Sequence, residues 1–406
     1  MAAALVAALP AQDRFHLRDG DTVVFYGDSI TDSRQYTNFV ETFVVTRYPG
    51  LKVRFVHSGW GGDRVSGGGG GPIDQRLQRD VIAYKPTVMT IMLGMNDGRY
   101  RAFDEAIFKE YARGFEHILD VMKQAAPGIR ITLIQPSPFD DVTREPQFPG
   151  GYNEVLVRYG KYVKELAGRN QMTAADLNGP VVEALAKANR VDHELALRLI
   201  PDRVHPATGG HLLMAACLLK AWGAAPTVTA VEIDAASGAV REAKNTTVTN
   251  LKAGKPVVWS QKDKALPMPV PMGDRGVALA VKSSDFIETL NQQTLKVTGL
   301  SGSSYKLKIN GVDVGSFTAA QLASGLNLAE LPTPMAKQAA SVHALTVKRS
   351  NVHNTRWRSI QVPLQDESLP RIASVMKSLD ALTAELAGKQ RAAAQPAACA
   401  YELIPE

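Results

Sequence analysis

Cysteine and long apolar runs are scarce in this sequence. Its 406 residues include only 2 cysteines, Cys217 and Cys399, which favours two buried or idle thiols over a disulfide framework or a metal site. No segment approaches the roughly 20 consecutive apolar residues that a membrane-spanning helix needs. A P-loop, a G-x-S-x-G elbow and an H-E-x-x-H motif are also missing, so we expect chemistry that needs no metal or organic cofactor.

The charge is nearly balanced and evenly spread. There are 46 basic and 40 acidic residues, a net charge of +6, without a long basic run, so a nucleic-acid partner is not expected. Hydrophobic residues make up 45% of the chain and charged residues 21%, which is typical of a folded protein. The length exceeds one average domain and predicts a large domain with a smaller one.

The first twelve residues, MAAALVAALPAQ, are short, apolar and rich in alanine. They resemble the end of a signal-peptide core followed by a processing site near Ala11, but they lack a basic start. Residues 1–12 are therefore either the remnant of a leader or a frayed N-terminus. The first alternative is favoured, so we expect a secreted or periplasmic protein.

Strand-like and helical patterns alternate along residues 21–225. The apolar runs are TVVFY (22–26), VRFVH (53–57), TVMTIML (87–93), ITLIQ (131–135) and, more weakly, TAADL (173–177). Continuous apolar runs are typical of strands buried on both faces. The order predicts an α/β fold, a flavodoxin-like doubly wound sheet of five parallel strands, whose ligands bind at the carboxyl ends of the strands.

The pattern changes after residue 226 to short alternating segments, with Asn310 and Gly311 forming a predicted hairpin turn. The proline-rich run LPMPVP (266–271) predicts an extended surface loop, and residues 369–392 predict an amphipathic helix. We expect a large α/β domain over 13–226, a smaller β-rich domain over 227–365, and a terminal helix with a tail over 366–406.

A serine stands at the end of the first predicted strand, in Gly27-Asp28-Ser29. A serine or aspartate in that place is also an ordinary helix cap. Two further strands run into the loops HSGWGGD and GMND, whose glycine N–H groups and Asn96 amide could donate to an oxyanion. Glycine, asparagine and aspartate are common in such turns without any function.

Asp202 and His205 are three residues apart after the last predicted strand. This spacing lets both side chains point the same way from one turn, so the carboxylate can orient an imidazole that accepts a proton from serine. A histidine before a proline is otherwise often a solvated loop residue.

The four loops together resemble the SGNH (GDSL-like) hydrolase superfamily, whose blocks read GDS, a glycine loop, GxND and DxxH. The sequence has GDSITD, SGWGGD, GMND and DRVHP in that order over roughly residues 20–225. The resemblance implies a serine esterase with the SGNH hydrolase fold. It also implies roles for five residues: Ser29 as nucleophile and backbone donor, Gly62 as backbone donor, Asn96 as side-chain donor, Asp202 as orienting acid and His205 as base.

One residue departs from the family pattern, because His57 stands where many relatives have asparagine. The register of the glycine loop is also open, since Gly61 could replace Gly62 as the donor.

Four residues flank the predicted site and are candidates for substrate binding: Trp60, Arg64, Arg99 and Tyr100. A polar, partly aromatic rim suits a sugar better than a long acyl chain, although Trp60 could equally be core. Many relatives with a leader and a β-rich domain are carbohydrate esterases, so the expected partner is a small ester or an acetylated glycan. Lysophospholipase, thioesterase or arylesterase activity is the enzymatic alternative. A glycan-binding protein with an idle hydrolase fold, using Trp259 or Trp357, is the non-enzymatic one.

Overall fold

The structure is a computed structural model that describes residues 15–406. The predicted leader, residues 1–12 with its processing site near Ala11, lies outside the described residues. In the part of the chain that is described, no helix has the length and apolar character needed to cross a membrane.

The first half of the chain forms the predicted parallel sheet. Its strands are β1 (Thr22–Gly27), β2 (Arg54–Gly59), β3 (Gly67–Gly68), β4 (Gly71–Pro72), β5 (Val88–Met92), β6 (Arg130–Ile134) and β7 (Thr173–Ala175). The main sheet has five parallel strands in the order β2-β1-β5-β6-β7, and β3 pairs with β4 in a separate small hairpin. This is the flavodoxin-like order, so the predicted fold is confirmed.

Helices flank this sheet. They are α1 (Ser29–Asp32), α2 (Gln35–Arg47), α3 (Ile73–Asp80), α4 (Glu105–Ala125), α5 (Gly151–Arg169), α6 (Gly179–Val191), α7 (His193–Ala196) and α8 (Thr208–Ala221). In α4 a stripe of apolar side chains from Ile107 to Met122 recurs every three or four residues and is buried, which explains why this segment packs as a helix. Helix α2 packs on α8, and α3 on α4.

The second half is rich in antiparallel strands: β8 (Thr227–Asp234), β9 (Ala239–Lys244), β10 (Thr246–Lys252), β11 (Val257–Asp263), β12 (Gln292–Thr298), β13 (Ser304–Ile309), β14 (Val312–Thr318), β15 (Leu326–Asn327) and β16 (Ala398–Pro405). They form two sheets, ordered β10-β11-β16-β13-β14 and β15-β12-β8-β9. The predicted hairpin turn is present, with Asn310 and Gly311 at φ 51° and 74° between β13 and β14. The prediction of a β-rich C-terminal domain is confirmed.

Helices also occur in this half: α9 (Arg275–Lys282), α10 (Phe286–Leu290), α11 (Ala319–Ser324), α12 (Pro334–Asn354) and α13 (Pro370–Ala393). The terminal helix therefore lies where the sequence predicts it. Helix α9 packs on α8 and α12 on α2, and side chains of α9 and α10 join the core of the parallel sheet. The boundary at residue 226 falls between α8 and β8, but the division of the chain into domains remains a prediction.

The prediction of a surface loop for residues 266–271 is wrong. This segment is not a strand, but Leu266 and Met268 are buried. The Leu266 N–H donates to the carbonyl of Thr46 at 3.0 Å, and the Met268 N–H donates to Asn291 Oδ1 at 2.8 Å. Hydrogen bonds to neighbouring elements thus satisfy a backbone that proline keeps out of a sheet.

Candidate active site

Ser29 is the first residue of α1, directly after strand β1. Asp28 caps this helix, since its carboxylate accepts the N–H of Ile30 at 3.0 Å. A side chain at Gly27 would lie 2.7 Å from the carbonyl oxygen of Met92, so only glycine lets the chain turn here. The turn places Ser29 at the carboxyl end of β1, beside the central strand β5.

Asp202 and His205 lie in one turn that the aspartate itself stabilises. Asp202 Oδ1 accepts the backbone N–H groups of Val204 at 3.0 Å and His205 at 2.7 Å. The second oxygen, Oδ2, lies 2.6 Å from His205 Nδ1. Burial works to raise the pKa of Asp202, but the hydrogen bonds from His205 outweigh it and lower the pKa. The carboxylate is thus held charged beside the ring.

The ring of His205 also reaches the serine. Its Nε2 atom lies 2.8 Å from Ser29 Oγ, although the two residues are 176 positions apart in the chain. With a proton on Nδ1, toward Asp202, the Nε2 atom can accept the serine proton. The His205 and Asp202 side chains are 48% and 55% exposed, so the three groups are open to a substrate from solvent.

The glycine loop after β2 presents two neighbouring N–H groups in different environments. The Gly61 N–H donates to Asp32 Oδ2 at 3.2 Å. The Gly62 N–H has no acceptor among the residues that the structure describes, and Gly62 adopts φ 78°, which favours glycine. Of the two glycines, Gly62 therefore has the N–H that remains available for a ligand.

The Asn96 amide is held at both ends. Its Nδ2 atom donates to the carbonyl of Asp63 at 3.0 Å, and its Oδ1 atom accepts the Tyr100 hydroxyl at 2.9 Å. Burial, with the charges of Asp28 and Asp202, raises the pKa of Tyr100 to about 12, so the hydroxyl stays a donor over the working pH range. This arrangement fixes which way the amide faces and leaves its second N–H for a ligand.

Three buried carboxylates lie beneath these loops. Burial raises the pKa of Asp28 and of Asp97 to about 7 and that of Asp63 to about 6. Asp97 accepts the N–H of Val65 at 2.9 Å, and Asp63 accepts from Arg76 Nε at 2.8 Å. These groups support the loops from below, and their negative charge opposes the ionisation of Asp28.

The predicted rim residues differ in their surroundings. Tyr100 is 40% exposed and contacts Asn96, whereas Arg99 forms an exposed ion pair with Glu110 at 2.6 Å. Arg64 is exposed, and its positive charge acts on both Asp97 and Tyr100. Trp60 is half-buried, because the backbone of Gly70 packs on its ring.

The sequence analysis missed Arg358, which stacks on Trp60 with its Cζ atom 3.3 Å from the ring centroid. Its neighbour Trp357 also contacts Trp60, edge to face at 5.7 Å. An Arg-Trp-Arg run far from the four sequence blocks was the only signal for them. Two other polar residues in this part of the chain have different surroundings. His353 is buried, and Arg356 forms an ion pair with Asp380.

Several residues that the sequence analysis singled out are buried in the interior. His57 is buried in β2, with Nδ1 2.7 Å from Thr37 Oγ1 and Nε2 3.3 Å from Glu41. Trp259 is buried and stacks on Tyr401 at 4.9 Å, so neither Trp259 nor the buried Trp357 presents a free face to a sugar. The prediction for Cys217 and Cys399 is confirmed, since both are free and buried. Within residues 15–406 no three or more His, Cys, Asp or Glu side chains are grouped to hold a metal ion.

Comparisons with known proteins agree with this geometry. Residues 25–213 match the model of the GDSL-like lipase/acylhydrolase family. An acetylxylan esterase of Geobacillus stearothermophilus is 28% identical over 225 residues, which are 50% of this chain and 94% of that protein. The solved structure of a gut microbial diltiazem-metabolizing enzyme covers 96% of this chain and 98% of its own, with 28% identity and a TM-score of 0.84. The predicted resemblance is confirmed by this match of residues 25–213 to the GDSL-like lipase/acylhydrolase family, and the chain is a carboxylic ester hydrolase.

Proposed function

We propose that Ser29, His205 and Asp202 form a catalytic triad that hydrolyses O-acetyl esters of carbohydrates through an acyl-enzyme. The observation that carries the proposal is the continuous contact from Asp202 Oδ2 to His205 and from His205 Nε2 to Ser29 Oγ, at 2.6 and 2.8 Å. Nucleophile, base and orienting acid are thereby within hydrogen-bond reach of one another.

The reaction follows from these contacts. Ser29 Oγ attacks the ester carbonyl carbon as His205 Nε2 takes its proton, and the carbonyl oxygen becomes an oxyanion. His205 then gives the proton to the leaving alcohol, which leaves an acyl-serine. A water molecule, deprotonated by His205, attacks the acyl carbon. The bond from this carbon to Ser29 Oγ then breaks, the acid is released, and His205 returns the proton to Ser29 Oγ. Asp202 keeps the ring oriented and stabilises its charged form.

The oxyanion requires donors that are already in place. In this proposal they are the N–H groups of Ser29 and Gly62 and the free N–H of the Asn96 side chain. Gly62 is favoured over Gly61, because Asp32 occupies the Gly61 N–H. The Asn96 amide is oriented by Tyr100 and Asp63 before substrate binds.

The proposed substrate is an acetylated glycan. Support comes from the acetylxylan esterase relative and from an open site with the exposed polar groups of Arg64 and Tyr100 at its rim. The diltiazem-metabolizing enzyme is similar over nearly the whole chain, so diltiazem is a second compound to test. The short apolar N-terminus supports the further proposal that the protein is exported to the periplasm or secreted.

The role of Ser29 is tested with Ser29→Ala and with a serine-directed phosphonate. The variant should fold normally and lose nearly all turnover, because it lacks the hydroxyl that contacts His205 and would form the acyl-enzyme. The phosphonate should label the wild type at Ser29 and leave the variant unlabelled. An active Ser29→Ala enzyme, or labelling at another residue, would overturn the triad.

The substrate is tested by measuring acetate released from acetylated xylan and acetylated monosaccharides, turnover of diltiazem, and hydrolysis of nitrophenyl esters of increasing chain length. The proposal predicts fastest turnover with acetyl groups on sugars. A preference for long acyl chains, thioesters or lysophospholipids would replace it with one of those activities. Binding of glycans without any turnover would identify a binding protein instead.

A further inference from the structure

Residues far from the four catalytic blocks lie directly behind the proposed oxyanion hole. The chain from Thr355–Gln361 is a π-helical segment between α12 and α13, with a Val362 N–H to Trp357 carbonyl bond of 3.0 Å at its end. Isolated π-helical turns are rare and frequently occur at functional sites. Here the turn directs two neighbouring side chains, Trp357 and Arg358, toward Trp60 in the glycine loop.

Arg358 is connected to the backbone donor of the hole. Its guanidinium covers the ring of Trp60, and its terminal nitrogen lies 3.7 Å from Asp32 Oδ2. The same Asp32 oxygen accepts the Gly61 N–H at 3.2 Å. Arg358 thus holds both the aromatic ring and the carboxylate that fix the loop just before Gly62.

Trp357 is connected to the side-chain donor of the hole. Its indole N–H donates to Asp80 Oδ1 at 2.6 Å, and the other oxygen of Asp80 accepts from Arg76. Arg76 Nε in turn donates to Asp63 Oδ2 at 2.8 Å, and the Asp63 carbonyl accepts the Asn96 amide at 3.0 Å.

These inner links are nearly inaccessible to solvent. The side chains of Arg76, Asp63 and Asp80 are 0% exposed, so the connection from Trp357 to Asn96 is shielded from water and its geometry is closely constrained.

We propose that two side chains of the π-helical segment, Trp357 and Arg358, are positioning residues of the active site, with Arg358 holding the Gly62 donor in place and Trp357 holding the Asn96 donor in place. Neither side chain touches the reacting atoms in this proposal. The inference rests on the proposed oxyanion hole and adds that the C-terminal half of the chain is needed to complete it.

The test is a double-mutant cycle on the full chain with a soluble acetyl ester. Loss of one oxyanion donor lowers kcat by about 10²–10³, and Trp357→Phe, which only displaces a donor, should lower kcat by about tenfold with little change in KM. In the Asn96→Ala background the same substitution should have no further effect, because the donor it positions is gone. Arg358→Ala should also lower kcat, and its effect should persist in the Asn96→Ala background, since it acts on Gly62.

Arg356→Ala is the matched control, because Arg356 lies in the same segment but pairs with Asp380 on the other side. It should leave kcat and KM unchanged. If Arg358→Ala does not fold, Asp32→Asn removes the same charge pairing while keeping an oxygen for the Gly61 N–H, and kcat should again fall. Melting temperatures measured on each variant separate misfolding from misplacement.

Two results would overturn the inference and leave the triad intact: wild-type kcat in Trp357→Phe and Arg358→Ala while Ser29→Ala is inactive, or a Trp357→Phe effect of equal size with and without Asn96. A merely structural role for Trp357 gives the second result. Activity in Ser29→Ala would instead refute the proposed function itself, so the two failures are distinguishable.

Discussion

At the scale of single residues, Asp202 combines a structural and a chemical task. One carboxylate oxygen accepts two backbone N–H groups and shapes the turn, while the other contacts the imidazole of His205. Because the same carboxylate shapes the loop and contacts the imidazole of the proposed base, the DxxH spacing is informative in the sequence alone. Asn96 is similar, since Asp63 and Tyr100 hold its amide at both ends.

Asn96→Ala separates the role of an oxyanion donor from that of a turn residue. A donor acts only when charge develops on the carbonyl oxygen, so kcat should fall by roughly 10²–10³, about 3–4 kcal/mol, with little change in KM. Steady-state kinetics give kcat and KM, and thermal unfolding of the same preparation gives the stability. Near-wild-type kcat in a destabilised protein would rule out Asn96 as an oxyanion donor.

The pH dependence should follow the base. The proposed triad needs the neutral ring of His205, because only that form can accept the proton of Ser29. Asp28 is a second group whose protonation could change the activity near neutral pH, since burial raises its pKa to about 7. Asp28→Asn keeps a capping oxygen but cannot titrate, and we expect the acid limb of the acylation rate to survive in this variant. A flat profile between pH 5 and 8 in the wild type would contradict the assignment.

At the scale of elements, the close approach between β2 and α1 sets the position of Ser29, the proposed nucleophile. Gly59 at the end of β2 lies against the backbone of Thr31 and Asp32, with no room for a Cβ atom. The nearest atoms are main chain, so they cannot rotate away. Helix α1, which begins with Ser29, is thereby pressed onto the edge of the sheet.

Gly59→Ala should therefore shift α1 and both destabilise the protein and slow the reaction. Overpacking typically costs about 1–3 kcal/mol, and the displaced Ser29 should lower kcat in the fraction that folds. Urea unfolding and active-site titration with the phosphonate provide the two readouts. Gly50→Ala is the control, because nothing lies within 4 Å of a Cβ atom there and both readouts should be unchanged.

At the scale of the whole molecule, a buried ionic cluster joins the C-terminal helices to the parallel sheet. Glu41 of α2 accepts from Arg349 of α12, and from Gln390 of α13 at 2.8 Å. Burial alone would raise the pKa of Glu41, but Arg349 and His57 outweigh it and lower the pKa to about 2. His57 thus belongs to this junction, which gives a physical reason for histidine at that position.

Glu41→Gln should destabilise the folded protein by about 3–5 kcal/mol, because it leaves the Arg349 charge buried without a partner. The lowered pKa means that the contribution of Glu41 is complete above about pH 4.5 and is lost as the pH falls toward 2. Wild-type stability should therefore drop more steeply over this range than that of the variant, as measured by urea unfolding.

Glu105→Gln is a control for this prediction, since Glu105 is 63% exposed and forms only a surface pair. Its effect should stay within about 0.5 kcal/mol. If Glu41→Gln were equally mild, the cluster would not be what joins the helices to the sheet.

Local patterns in the sequence were sufficient to predict the strands of the parallel sheet. Each buried strand is a continuous apolar run, and each predicted run lies at an observed strand. The tail was harder to predict. Strand β16 lies in the middle of a sheet and buries Cys399, Tyr401 and Leu403 alternately, a signal that was present but short. The buried loop at 266–271 had no such signal, because its hydrogen-bond partners come from distant segments.

Local patterns in the sequence were enough to locate the five strands along the chain and the loops that follow them, because these depend on apolar periodicity and on short spacings such as Asp202 to His205. Tertiary packing determined which glycine N–H is left free, because Asp32 accepts the N–H of Gly61. It also brought Trp357 and Arg358 behind the site. The contacts of Trp357 and Arg358 with Trp60 join residues about 300 positions apart and follow no periodicity, so they exist only once the chain has packed.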